Sequence, residues 1–108
     1  MPYDPQLAER MRKALQSRPG VIEKKMFGGY CWMLHGNMLC GVEVGRFMFR
    51  VGAAQEADAL SRPGARPMDI TGKPMKGFVW VDATTTTGAG LDHWIDLAAR
   101  YVGSLPPK

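Results

Sequence analysis

The sequence predicts an α+β domain in which helices lie against an antiparallel β-sheet. Three observations support this prediction: helical periodicity at both ends of the chain, short β-type runs between glycines in residues 21–52, and two extended segments at residues 66–72 and 77–85. The predicted order is α-β3-α-β2-α, and such hairpin-connected strands with interposed helices are typical of two layers. A chain of 108 residues can bury its own core, so we expect residues 1–108 to form a single domain.

The first helix is predicted from its capping residues and its apolar spacing. Asp4 is a suitable N-cap, Pro5 suits the first helical position, and Pro19 with Gly20 ends the segment. Its core-facing side is predicted to carry Leu7, Met11, Ala14 and Leu15.

Two further helices follow from spacing. A short one is predicted in residues 53–61, where Ala53, Ala57 and Leu60 recur at helical intervals. The last runs from about Leu91 to Leu105, and residues 84–87 are expected to be a strand end. The apolar stripe of the last helix comprises Leu91, Trp94, Ile95, Ala98, Val102 and Leu105.

Residues 21–52 are predicted to form a three-stranded meander whose turns set the pairing. A turn at Gly36 and Asn37 places Cys31 opposite Val42, and a second turn at residues 44–45 places Val42 opposite Phe47. One sheet face, expected to be core, then carries Cys31, Met33, His35, Met38, Cys40, Val42, Phe47, Phe49 and Val51. The other carries Tyr30, Trp32, Leu34, Leu39, Glu43, Arg46, Met48 and Arg50.

This second face is the candidate protein interface, because it combines charged residues with large apolar ones. Its candidate contact residues are Tyr30, Trp32, Leu34, Leu39, Arg46, Met48 and Arg50. A homodimer or another protein would bind by burying apolar surface around Trp32. The alternative is that a helix or a loop of the same chain covers the face.

A basic segment at residues 62–76 is the candidate anion or nucleic-acid contact. Arg62, Arg66, Lys73 and Lys76 stand there against one acid, Asp69. If they converge, they can contact phosphates, and binding would weaken with salt through counterion release. The alternative is a solvated loop around GKPMKG. The net charge of +4 permits attraction to polyanions without requiring it.

The residue pattern does not assemble catalytic, metal or cofactor chemistry. Cys31 and Cys40 are predicted diagonally across two strands, with Cβ atoms roughly 7 to 8 Å apart against the spacing of about 4 Å in a disulfide. Cys31 and His35 lie about 13 Å apart along one strand, too far to share a zinc ion. The two histidines, His35 and His93, do not complete a triad, and no phosphate-binding glycine motif is present. We therefore expect no enzyme, no metal and no cofactor, with a weaker alternative of a small-ligand pocket near Cys31, Cys40 and His93.

The hydrophobicity of the sequence predicts the cellular location and whether the chain crosses a membrane. No apolar run is long enough to cross a bilayer, and the amino terminus lacks the apolar stretch of a signal peptide. We expect a cytoplasmic protein without membrane contact, whose cysteines are reduced.

Four segments closely resemble the TfoX/Sxy N-terminal domain family: KKMFGGYCWMLHGNMLCGV, FRVG, DITGKPMKGFVWV and LDHWIDLAARYVGSLPPK. The resemblance runs from about Lys24 to the carboxyl end, with MFGG and TGKPMKG as its most specific motifs. It implies a secretion-chaperone-like α-β3-α-β2-α fold and a non-enzymatic bacterial protein. Larger members regulate natural competence together with a cyclic-AMP-dependent transcription activator and carry a second domain. We expect this chain to correspond to the amino-terminal domain alone, acting as a regulatory or adaptor protein, with a nucleic-acid-associated regulator as the alternative.

Overall fold

The computed structural model describes residues 4–26, 29–70, 73–86 and 89–107, and within them it contains helices packed on an antiparallel sheet. The helices are α1 (Pro5–Leu15), α2 (Glu56–Leu60) and α3 (Ala89–Val102). The strands are β1 (Val21–Met26), β2 (Gly29–Leu34), β3 (Asn37–Val42), β4 (Arg46–Arg50), β5 (Ala65–Ile70) and β6 (Lys73–Asp82). The six strands are ordered β1-β2-β3-β4-β6-β5, so the α+β class and the antiparallel sheet are confirmed.

Strand β1 is missing from the predicted element order, which gives three strands where the structure has four. It pairs with β2 from Val21 opposite Leu34 to Met26 opposite Gly29. Its sequence, VIEKKM, has an interior of exposed charged residues, which weakens the apolar alternation that marks a strand. Such charges are common on an edge strand, because they discourage pairing with other chains.

The predicted turn at Gly36 and Asn37 is wrong by one residue. The turn residues are His35 and Gly36, with φ of 52° and 84°, and Asn37 already belongs to β3. Two positive φ values are typical of a type I′ hairpin turn. This turn alone would place Trp32 opposite Leu39, but Trp32 lies opposite Cys40, and Cys31 lies opposite Gly41 rather than Val42.

A β-bulge accompanies this register. Met33 pairs with Met38, whereas Trp32 pairs with Cys40, so Leu39 is the extra residue of β3. Leu39 and Cys40 are consecutive, yet both are fully buried in the main core. The predicted β3–β4 register, in contrast, is confirmed, with Val42 opposite Phe47 and Cys40 opposite Phe49.

The bulge shifts the pairing of residues 30–32 by one and so exchanges the two faces of β2, and the predicted interface is wrong for Tyr30, Trp32, Leu34 and Leu39. Trp32 is 2% exposed and Leu39 is fully buried, and both belong to the core beneath the helices. Leu34 is also in this core, and Tyr30 packs against it partly buried. The polar members Arg46 and Arg50, with Met48, lie on the opposite side of the sheet.

The helices supply the other half of the core. Asp4 caps α1 by accepting a hydrogen bond from the N–H of Gln6 at 2.9 Å, as expected. In α2 Ala59 is buried and Leu60 packs against the core, whereas Ala57, and Ala53 in the 3-10 turn before the helix, are exposed. Helix α3 buries the predicted stripe up to Val102 and ends there, and Leu105 lies beyond it, partly buried.

The second hairpin extends further than the sequence indicates. Residues 73–76 of the predicted GKPMKG loop lie in β6, which pairs with β5 down to Ile70 opposite Lys73. Residues 84–85, expected to be a strand end, lie in a 3-10 turn whose N-cap is Asp82. Thr87 lies outside the described residues.

Candidate protein-binding face

The two sides of the sheet are covered differently. Every described helix contributes side chains to the core on one side, which we call the helix side. The opposite side, the outer face, has a separate apolar cluster to which the described helices contribute no residue. Its buried members are Cys31, Met48 and Met68, with Met38, Phe78 and Trp80 packed around them.

A second apolar row extends the outer face toward the β1 edge. Ile22 pairs with Met33, which pairs with Met38, and directly opposed residues share a face. Ile22 is 60% exposed, and the two methionines are half-buried. The apolar surface therefore runs across several strands and reaches solvent, which is typical of an interaction site.

Arg46 and Trp80 form a stacked pair at one end of the outer face. The Arg46 guanidinium carbon lies 3.8 Å from the centre of the Trp80 ring, and its Nε donates to Glu43 Oε1 at 2.6 Å. Glu43 holds the guanidinium, and the guanidinium in turn covers the indole. A groove of about 140 Å³ beside this pair includes Arg66 and Asp82 in its lining.

Basic side chains outnumber acidic ones around the outer face. The bases, placed by strand register or by the grooves that they line, are Lys24, Arg46, Arg50, Arg66 and Lys76. The acids among the described side chains there are Glu43 and Asp82. Two hydrogen bonds from Thr84 hold the pKa of Asp82 below its usual value, so this carboxylate is charged at neutral pH.

The predicted basic segment does not gather on one surface. Arg62 lies on the helix side, 5.6 Å from the Trp94 ring, and pairs with Asp58 at 3.1 Å. Arg66 is on the outer face opposite Trp80, and Lys76 is exposed. The backbone of Lys73 is in β6, and its side chain lies outside the described residues. Arg62 therefore does not converge with Arg66, because Arg62 precedes β5 on the helix side and Arg66 lies within β5 on the outer face.

Sequence reasoning missed the aromatic half of the outer face. Phe78 and Trp80 alternate with the buried Val79 and Val81 in FVWV, so periodicity signals two different faces. Periodicity does not show that β6 pairs with β4, which places Trp80 beside Met48 and Phe78 beside Arg50. That pairing joins strands distant in sequence.

The cysteines are free and buried, on opposite faces of the sheet rather than on the same face as expected. Burial raises the pKa of Cys31 and, more strongly, that of Cys40, whose thiol lies 3.7 Å from the Met11 sulfur. Neutral thiols are poor nucleophiles and poor metal ligands. The described residues contain no group of three or more His, Cys, Asp or Glu that could hold a metal ion.

The weaker alternative of a small-ligand pocket places His93 together with the two cysteines. A groove of about 290 Å³ at the start of α3 is lined by His93, Trp94 and Arg62, and neither cysteine lines it. In the part of the chain that the structure describes, no helix is long and apolar enough to cross a membrane.

Fold and surface define a small α+β domain with one side of its sheet covered by helices and an apolar, basic outer face. The family model of the TfoX N-terminal domain matches residues 13–101, and the chain belongs to this family. No curated protein and no solved structure shows a significant match to the chain. The likeness to secretion chaperones stays a prediction.

Proposed function

We propose that this protein is a non-enzymatic, cytoplasmic regulatory or adaptor domain that binds an acidic, partly apolar segment of another protein on its outer face. The observation that carries the proposal is the apolar cluster around Met48, which lies on the side of the sheet opposite the described helices and is surrounded by an excess of basic side chains. Membership of the TfoX N-terminal domain family supports a regulatory role, because larger members regulate competence.

The chemistry of the outer face favours a protein partner. Methionine side chains are flexible and polarizable, so Met33, Met38 and Met48 can repack against different apolar groups. The surrounding cations would orient an acidic segment and accelerate its encounter, while apolar burial supplies the affinity.

Nucleic acid is the less favoured partner, although it is also acidic. Single-strand binding usually requires aromatic rings with a free face on which bases stack. Here Arg46 covers Trp80, and Arg50 lies 5.5 Å from the centre of the Phe78 ring. The basic residues of the segment 62–76 also lie on two sides of the molecule, with Arg62 on the helix side and Arg66 on the outer face.

The test compares fluorescence anisotropy of three labelled probes at low and moderate salt. The probes are a peptide of alternating leucine and glutamate, a matched peptide of leucine and lysine, and a duplex DNA. We expect the acidic peptide to bind best, and the double variant Lys24→Glu/Arg66→Glu to bind it roughly tenfold more weakly.

A matched control carries the same charge change on the helix side. Lys13→Glu/Arg100→Glu alters two exposed residues of α1 and α3 and should bind like the parent protein. Equal losses in the two double variants would reduce the effect to net charge and overturn the proposal. Stronger binding of DNA, with a steep salt dependence, would reassign the function to nucleic acid.

Self-association, the other partner expected from the sequence, is read from the same samples by sedimentation. A parent protein that dimerises, and an Ile22→Glu variant at the exposed edge of the outer face that does not, would identify the outer face as a homodimer interface and overturn the acidic-partner proposal.

A further inference from the structure

We propose that a cleft at one end of the outer face binds a carboxylate group. The cleft lies between residues 50–53, at the end of β4 and just after it, and residues 76–78 of β6, and its polar side chains come from Arg50, Lys76 and Tyr101. The inference rests on the proposed function, since it names the group by which an acidic partner would be held.

Arg50 differs from the other arginines that lie over aromatic rings. Arg12, Arg46 and Arg62 each donate to a carboxylate of this chain, and Arg10 donates to the carbonyl oxygen of Thr86 at 2.7 Å. Arg50 lies 5.5 Å from the Phe78 ring and 5.7 Å from the Tyr101 ring, and no described residue accepts a hydrogen bond from it. Its donors are therefore available to an acceptor from outside the chain.

The two rings restrict the guanidinium before any ligand arrives. Cation–π contact with both Phe78 and Tyr101 limits the conformations of the long Arg50 side chain. A guanidinium held in this way loses less conformational entropy when it binds a planar, two-oxygen acceptor. A carboxylate matches this fork with two parallel hydrogen bonds.

Two glycines in the left-handed region line the cleft at positions where the chain closely approaches neighbouring groups. A Cβ on Gly52, with φ of 80°, would lie 2.4 Å from a carbon of the Tyr101 ring. A Cβ on Gly77, with φ of 88°, would lie 3.2 Å from the backbone of Gly52. The backbone at these positions thus forms a wall without side chains, and the cleft has about 200 Å³, enough for a carboxylate and the carbons that bear it.

The charge of the cleft is positive. Lys76 is an exposed second cation in the lining, and no acidic residue lines the cleft among the described side chains. One carboxylate is adjacent in space: Glu56 does not line the cleft, but its Oε2 accepts a hydrogen bond from the N–H of the lining residue Gly77 at 3.3 Å. An anion therefore meets two cations there.

The test is an NMR titration of the ¹⁵N-labelled protein with sodium acetate at constant ionic strength. We expect saturable shifts of the Gly52, Ala53 and Gly77 amides. Arg50→Gln should weaken binding by roughly tenfold and Lys76→Gln by roughly threefold, because the first removes the paired donors and the second only a point charge. Lys13→Gln, on α1, should leave the titration unchanged.

The Lys76→Gln variant separates binding from folding, because Lys76 is exposed and its replacement disturbs no described contact. Weaker acetate binding by this variant therefore reports on the cleft alone. Non-saturating shifts, or an Arg50→Gln protein that folds and titrates like the parent, would overturn the inference. Tighter binding of inorganic phosphate than of acetate would also overturn it, in favour of a phosphate site.

Two further probes separate the possible sources of the carboxylate. N-acetylalanine carries a terminal carboxylate, whereas N-acetylaspartate with an amidated α-carboxyl group carries only a side-chain carboxylate. The probe that binds the cleft more tightly identifies the source. If acetate binds in the cleft but the acidic peptide binds every variant with the affinity of the parent protein, the carboxylate site is supported and the proposed function is overturned. If the peptide binding depends on Lys24 and Arg66 but acetate does not bind, only the cleft fails.

Discussion

At the scale of single residues, the absence of a side chain shapes the cleft as much as the charges do. Gly52 and Gly77 hold positive φ values, and each approaches another group too closely for a Cβ without rearrangement. A composition count does not distinguish these glycines from those that simply turn the chain.

The comparison of Gly52 with Gly45 tests this argument. Gly52→Ala should lower the free energy of unfolding by about 3 kcal/mol, since the methyl group meets the Tyr101 ring and the residue is strained. Gly45 has a similar φ of 75° but nothing within 4 Å of an added Cβ. Gly45→Ala should therefore lose only about 1 kcal/mol. Urea unfolding measures the free energy of unfolding of both variants. Equal losses of this free energy would show that backbone strain, and not contact with the Tyr101 ring, accounts for the effect at Gly52.

At the scale of elements, the turn and the bulge of the first hairpin together determine which side chains are buried. The His35–Gly36 turn makes Asn37 the first residue of β3, where it is 3% exposed and its Nδ2 donates to the carbonyl oxygen of Pro106 at 2.9 Å. This hydrogen bond attaches the segment after α3 to the hairpin. A turn at Gly36 and Asn37 would leave the amide in solvent.

Asn37→Asp tests the position of this amide. The change keeps the shape but replaces the donor by an acceptor facing a carbonyl oxygen, and should destabilise the protein by about 2 to 3 kcal/mol at neutral pH. Burial should raise the pKa of the new carboxyl above its unfolded value, so the protonated, donating form persists in the folded state as pH falls. The free energy of unfolding lost on substitution should therefore be smaller at about pH 4 than at about pH 7. A deficit that does not change with pH, measured by urea unfolding against the parent, would contradict this arrangement.

At the scale of the whole molecule, the sheet separates a structural side from a side available for binding. Trp32 is on the helix side in the main core, and Trp80 is on the outer face, half-buried under Arg46. Both tryptophans lie on central strands, so their position relative to the helices, rather than their place in the sheet, determines their roles.

The two tryptophans should respond differently to truncation. Trp32→Ala leaves a cavity in the core and should reduce the free energy of unfolding by about 4 kcal/mol. Trp80→Ala should lose less than about 2 kcal/mol, because part of its surface is already in water. Thermal unfolding measures both stabilities, and the acidic-peptide titration should be weakened by Trp80→Ala. A Trp32→Ala protein as stable as the parent would contradict the observed faces.

The sequence by itself determined the class of the fold, the helices and the family, because capping residues, apolar periodicity and the motifs around MFGG and TGKPMKG are local signals. It also predicted that Arg46, Met48 and Arg50 share a face, since the β3–β4 turn was correctly placed. Only the tertiary structure decided that Trp32 and Leu39 belong to the core. Moving a two-residue turn by one position keeps the same residues on each face, whereas the extra residue Leu39 in β3 shifts the pairing by one and reverses the faces of β2, and apolar periodicity does not reveal such a bulge. The β4–β6 pairing and the Arg50 cleft were equally beyond the sequence, because long-range contacts between distant strands bring those residues together.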